Sequence, residues 1–166
     1  MRSYVKTGVQ DDNPVVPWDL TEWVDKAALR QWITEEVESL DWNNPKVVAI
    51  LRTYRSHPPK SMLCLLTYAY ATAVFESDEI IRRCYSEESF RLISGGHMPE
   101  TTNVVSRFRR ENRGLLKWCL AQVFKRAIKA KAGDVLLPAG LKRRLLDSAV
   151  MRLNVSRHLD RGAEES

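Results

Sequence analysis

SDEIIRRCYSEESFRLISGGHMPETTNVVSRFRRENR, residues 77–113, is the stretch on which the reading of this chain turns. Ser77 is read as an N-cap, with Asp78 and Glu79 behind it. A hydroxyl can accept from the first free amides, and acids suit the positive end of the helix dipole. The short helix so started reaches about Tyr85 and turns Ile80 and Ile81 inward. Ser86, Glu87 and Glu88 repeat the signal for a second helix carrying Phe90, Leu92 and Ile93, which Gly95 and Gly96 stop. After Pro99, Thr101 or Thr102 caps a third, whose inward residues are Val104, Val105 and Phe108. Asn103, Arg107 and Arg110 fall at i, i+4 and i+7 on the opposite stripe, flanked by Ser106, Arg109 and Arg113. Two short helices bracing a cationic third make a helix-turn-helix-like unit. Arginine and asparagine can read guanine and adenine edges, and both also reach phosphates. Four arginines in residues 107–113 cannot share one face at about 100° per residue, so some are expected to read bases and others to hold the backbone.

The flanks of this stretch read as helical too. Pro58 and Pro59 suit the first turn of a helix, where a missing N–H is harmless, and the helix from about 60 to 75 is apolar nearly all round. This should be the buried hub. Asp25 is a plausible N-cap for a helix from 26 to about 40, with Leu29, Trp32, Ile33 and Val37 on one face. Residues 47–51 suit helix or strand equally. Gly114 either breaks the third helix or is tolerated in it; Leu116, Leu120, Val123 and Ala127 then carry an apolar face to about 129. Residues 131–138 read as a turn, Leu141, Leu145, Ala149 and Leu153 as a last amphipathic helix, and 157–166 as a polar tail. That last helix looks basic on one side through Arg143, Arg144 and Arg152. The expectation is an all-α, compact helical bundle with an irregular N-terminal arm: arm 1–24, helical DNA-binding domain 25–131, C-terminal helix and tail 132–166.

Charge agrees with a polyanionic partner. The 166 residues hold 26 Lys+Arg against 21 Asp+Glu, but residues 1–100 carry 11 against 15 and residues 101–166 carry 15 against 6. All the excess positive charge therefore begins at the arginine helix. Lys117, Lys125, Arg126 and Lys129 extend it as candidate backbone contacts. Trp118 and Phe124 are interleaved with these cations, a pattern that can stack bases but is read here as core. Trp18, Trp23 and Trp42 are expected to pin the arm to the bundle.

The counts exclude other classes. Cys64, Cys84 and Cys119 form no CxxC pair, and His57, His97 and His158 stand apart from them, so no metal or disulfide framework is expected. The longest apolar stretch, 62–75, has 14 residues, short of a membrane span of about 20. Without the apolar segment of a secretory signal at residues 1–10, a reduced, cytoplasmic setting is expected.

Residues 57–129 resemble the N-terminal domain of DDE-type transposases from bacterial insertion elements. The resemblance is carried by the proline-led apolar helix at 58–70, the Ser-x-x-Ile of Ser77 to Ile80, the aromatic helix around Phe90 and Ile93, and Ser-Arg-Phe-Arg at Ser106, Arg107, Phe108 and Arg109. It departs at Val104, where the family usually has a small polar residue, and in a proline one residue further away. The family's catalytic domain needs two Asp and one Glu on a sheet of well over about 100 residues to hold two divalent ions. Only 35 residues follow Lys131, so no catalytic residue, metal or cofactor is expected, and no enzyme. What the resemblance implies is sequence-specific binding of double-stranded DNA at element ends through Asn103, Ser106, Arg107, Arg109, Arg110, Arg113, Lys117, Lys125 and Arg126. The chain would then be a truncated relic, a split-gene subunit or a domesticated regulator. The alternative is a helical interaction module, self-associating or docking on a catalytic transposase subunit through the 141–153 helix.

Overall fold

Residues 62–71 are buried without interruption, and the rest of the molecule is arranged around the helix that holds them. The computed structural model describes residues 16–47, 49, 58–132 and 140–165; it is all-α, 76% helical, with no strand among the described residues. After a single 3-10 turn, Leu20–Glu22, come α1 (Lys26–Glu38), the hub α2 (Pro59–Ala71), α3 (Ser77–Ser86), α4 (Glu88–Ile93), α5 (Thr102–Glu111), α6 (Arg113–Ala132) and α7 (Leu141–Glu165).

The hub packs on α1, α4, α5 and α6, and α6 packs in turn on α1 and α7. One apolar cluster joins Leu20, Leu29 and Ile33 to Phe90, Phe108, Phe124, Leu145, Ala149 and Leu153. Residues assigned above to arm, domain and C-terminal helix thus share a single core. Each large apolar side chain so buried contributes about 2 kcal/mol. No helix among the described residues is long and apolar enough to cross a membrane.

Local signals set most ends. The Asp25 side chain accepts from the Ala28 amide at 2.8 Å, as its spacing predicts. Of the two threonines, Thr101 caps α5, accepting from Val104 N at 3.3 Å. Gly95 and Gly96 leave α4 at φ +64° and +83°, a turn that a side chain would strain. Ala73 does the same after the hub without glycine's freedom, at φ +63°, while Val74 N reaches back to Ala69 O at 2.8 Å. This closes the hub before the expected residue 75.

Two serines are corrected. Ser77 is the first residue of α3, with Glu76 at the N-cap, because its Oγ is 2.9 Å from Ser106 Oγ across to α5. Ser86 ends α3, and Glu87 precedes α4. The break between α5 and α6 falls at Asn112, not Gly114, which is accommodated in the first turn of α6. The helix α7 continues to Glu165 through what reads as a polar tail. Residues 1–15 of the arm, His57, the turn at 133–138 and most of 48–57 lie outside the described residues.

Candidate nucleic-acid interface

Anchoring comes first in α5. Val105 and Phe108 are fully buried. Arg109, expected on the surface, is 2% exposed, and its Nη1 donates to the carbonyl of Phe75, just before α3. That carbonyl lies in the loop after the hub, and the guanidinium satisfies it. Ser106 is half-buried on Ser77. Asn112 stops the helix by donating its side-chain amide to Phe108 O at 2.9 Å. Three of the four residues of Ser-Arg-Phe-Arg therefore hold α5 against α3 and the core. Only Arg107 of that signature faces outward.

The outward face holds Asn103, Arg107 and Arg110, all exposed and within about 60° of one another around the helix. Glu111 is the acid beside them, 3.4 Å from Arg107 Nε at i+4. An exposed pair of this kind is worth about 0.5 kcal/mol, so it gives way readily to a phosphate.

The remaining cations divide. Lys125 is exposed and Lys117 half-exposed on α6. Arg126, expected at DNA, instead clamps α6 to α1: its Nη1 is 2.6 Å from Glu35 and its Nη2 2.6 Å from Glu36. The Arg126 hydrogen bond holds the Glu35 carboxyl below its ordinary pKa, and the same bond raises that of Arg126. Arg113 is likewise committed, donating to Leu153 O at 3.0 Å and to Asn154 Oδ1 at 3.1 Å on α7. The reason is common to Arg109, Arg113 and Arg126: each lies beside a neighbouring element whose carbonyl or carboxylate it can satisfy. The tryptophan expected in the core, Trp118, is 38% exposed, whereas Phe124 is buried.

Arg152 departs furthest from the sequence reading. It is 1% exposed, not on a basic face. Its Nη1 donates to Trp18 O at 2.8 Å and to Tyr70 O, and its Nη2 to Pro17 O at 2.7 Å. The guanidinium also lies 5.1 Å from the Trp18 ring centroid and 4.7 Å from that of Phe124. Burial pulls its pKa down to about 10, still far above neutrality, so it is charged at pH 7. The segment 17–18 is thereby tied to the last turn of the hub. Its only sequence signal is its place in the apolar row: Arg152 is three residues from Ala149 and four from Ser156, which are also buried.

A cleft of about 390 Å³ opens between the 73–76 loop, α3 and α7, lined by Val74, Phe75, Glu79, Arg83, Val155 and Leu159. No group of three or more His, Cys, Asp or Glu side chains converges among the described residues. The three thiols are free and buried, with burial pushing Cys64 and Cys119 up to about 12 and Cys84 to about 11. Comparison of the chain with known protein families, with curated proteins and with solved structures gives no match.

Proposed function

We propose that this chain binds double-stranded DNA through the outward face of α5, without strand-transfer chemistry of its own. In this reading α3, α4 and α5 act as a helix-turn-helix-like unit. Asn103 and Arg107 address base edges, while Arg110, with Lys117 and Lys125 of α6, holds backbone phosphates. The observation that carries it is the division of labour on α5: its apolar face, Arg109 and Ser106 fasten the helix, and its opposite face offers amide and guanidinium groups to solvent. A helix so fastened can present side chains to a major groove in one orientation. The target class, ends of an insertion element, comes from the resemblance of residues 57–129 to transposase N-terminal domains.

Fluorescence anisotropy with a labelled duplex tests the reading. Binding should weaken steeply with salt, by about 0.9 log units per phosphate contact for each tenfold rise. R107A/R110A should abolish most of it. A wild-type protein that ignores duplex at low salt, or a double variant that binds as wild type does, rejects the proposal. Selection from a randomised duplex pool then defines the sequence preference.

A protein partner is the second reading, favoured by the exposed side chains of Trp18, Met151 and Val155 near the apolar cleft. Light scattering after size exclusion, with and without cell extract depleted of DNA, separates the two.

A further inference from the structure

We infer that the outer row of α6, Trp118, Gln122, Lys125 and Lys129, binds an unpaired DNA strand. The Trp118 indole stacks on a base, and the two lysines hold phosphates along the strand. The stacking does not depend on the duplex reading of α5; only the choice of DNA over RNA rests on it.

Helical spacing makes the row. Counted from Trp118 at about 100° per residue, Gln122 lies about 40° to one side and Lys125 and Lys129 about 20° to either side, so the four share one face. Trp118, Lys125 and Lys129 are exposed and Gln122 half-exposed. The residues between them, Cys119, Leu120, Val123, Phe124, Ala127 and Ile128, are buried in the core, which turns this row to solvent. From Trp118 to Lys129 it runs about 16 Å, room for about four stacked nucleotides at roughly 3.4 Å each.

Folding does not account for the indole. Phe124 of the same helix is fully buried, yet Trp118, larger still, stays 38% exposed. It has no ring, cation or hydrogen-bond partner among the described residues. A helical side chain leans back over the preceding turn, which for Trp118 is the turn of Gly114. A Cβ at Gly114 would meet nothing within 4 Å, so the space there is open.

Charge selects the ligand. The helix α6 carries Arg113, Lys117, Lys125, Arg126, Lys129 and Lys131 and no acid at all. Lys125 and Lys129 make no ion pair or hydrogen bond with a described residue, and the acids that α1 turns to α6, Glu35 and Glu36, are taken by Arg126. A polyanion therefore fits the row. An acidic peptide would pair with the lysines but has no flat face for the indole. In a duplex each base already stacks on its neighbours and offers the indole little. An unpaired strand brings phosphates and open base faces together, and the Gln122 amide can meet a base edge.

The test is fluorescence anisotropy with labelled strands of about 12 nucleotides: oligo-dT, oligo-rU and an abasic sugar–phosphate strand. Wild type should bind oligo-dT about tenfold more tightly than the abasic strand, the effect of one stacked base. W118A should bind the two alike, and W118F should keep most of the preference. K125A/K129A should weaken both strands and lower the salt slope by about 1.4. Should W118A fail to fold, the wild-type preference for oligo-dT over the abasic strand still decides. Equal wild-type affinity for those two strands overturns the proposal, as does a folded W118A that keeps the preference. Tighter binding of oligo-rU than of oligo-dT overturns the assignment to DNA, and displacement of oligo-dT by polyglutamate at equal charge overturns it in favour of a protein partner. A wild-type protein that binds duplex but not oligo-dT removes this site and leaves the α5 reading; one that binds oligo-dT with the base preference but no duplex removes the α5 reading and leaves this site.

Discussion

Arg152→Met is the most demanding test of how this bundle is held together. Methionine keeps much of the length and the apolar stem but gives nothing to the three carbonyls of Pro17, Trp18 and Tyr70. Hydrogen bonds from a charged donor contribute about 1.5–3 kcal/mol each. The Pro17 and Trp18 carbonyls belong to an edge segment, where Trp18 is 48% exposed, so water can replace part of what they lose. The Tyr70 carbonyl, in the buried last turn of the hub, keeps the Ala73 amide at 3.3 Å but loses the charged donor, and water cannot take that place without local opening. Loss of the contacts to the Trp18 and Phe124 rings adds about 1–2 kcal/mol. Against this, the variant recovers the cost of burying a cation. The pull on the Arg152 pKa from 12.5 to about 10 sets that cost at about 3 kcal/mol, and the buried Nε, which has no acceptor among the described residues, adds to it. The balance is a net destabilisation of about 3–5 kcal/mol. It differs from a buried ion pair, which apolar residues can often replace without loss, because backbone carbonyls cannot be mutated away. With a urea m-value of about 2 kcal/mol per molar, the midpoint should fall by about 2 M. Amides of residues 16–24 should lose hydrogen-exchange protection before the hub does, and Arg152→Lys should fall in between. A midpoint shift below about 0.5 M, or protection retained at 16–24, would refute the reasoning.

Three further outcomes are expected. Arg109→Ala should cost about 2–3 kcal/mol in chemical denaturation by stranding the Phe75 carbonyl, whereas Arg107→Ala should stay within about 0.5 kcal/mol of wild type; equal effects would contradict the inward and outward assignment. Ala73→Gly should stabilise the fold by about 0.5–1 kcal/mol, seen as a higher melting temperature, because glycine relieves the φ of +63°. Alkaline pH should destabilise the protein through its three thiols. They stay protonated in the fold with pKa values raised to about 11–12, but ionise in the unfolded chain from about pH 9, so the unfolded state binds fewer protons and stability drops as pH rises. By pH 10 the loss should reach about 4 kcal/mol, and replacing the cysteines with alanine should flatten the melting-temperature profile above about pH 9, where the unfolded thiols ionise.

Periodicity and caps located most of the helices, because both act within a few residues of chain. Leu29, Ile33 and Val37 recur at helical spacing and are buried, Asp25 and Thr101 cap as their positions require, and the uninterrupted apolar run at 62–71 is the hub. The class, all-α, follows from such local regularities. Partner choice does not. Ser77 has every sequence mark of a cap and is used as a bridge to Ser106, since the proximity of α3 and α5 is a property of the packed molecule.

The arginines make the same point most sharply. Composition and spacing set how many cations follow residue 100 and which three share the outer stripe of α5. They do not sort these cations, because a guanidinium is suited equally to a phosphate, a carboxylate or a backbone carbonyl. Packing sends Arg109 to the carbonyl of Phe75, Arg113 to that of Leu153, Arg126 to the acids of α1, and Arg152 to the carbonyls of Pro17, Trp18 and Tyr70. Which acceptor a long cationic side chain meets depends on which distant segment packs within reach of it.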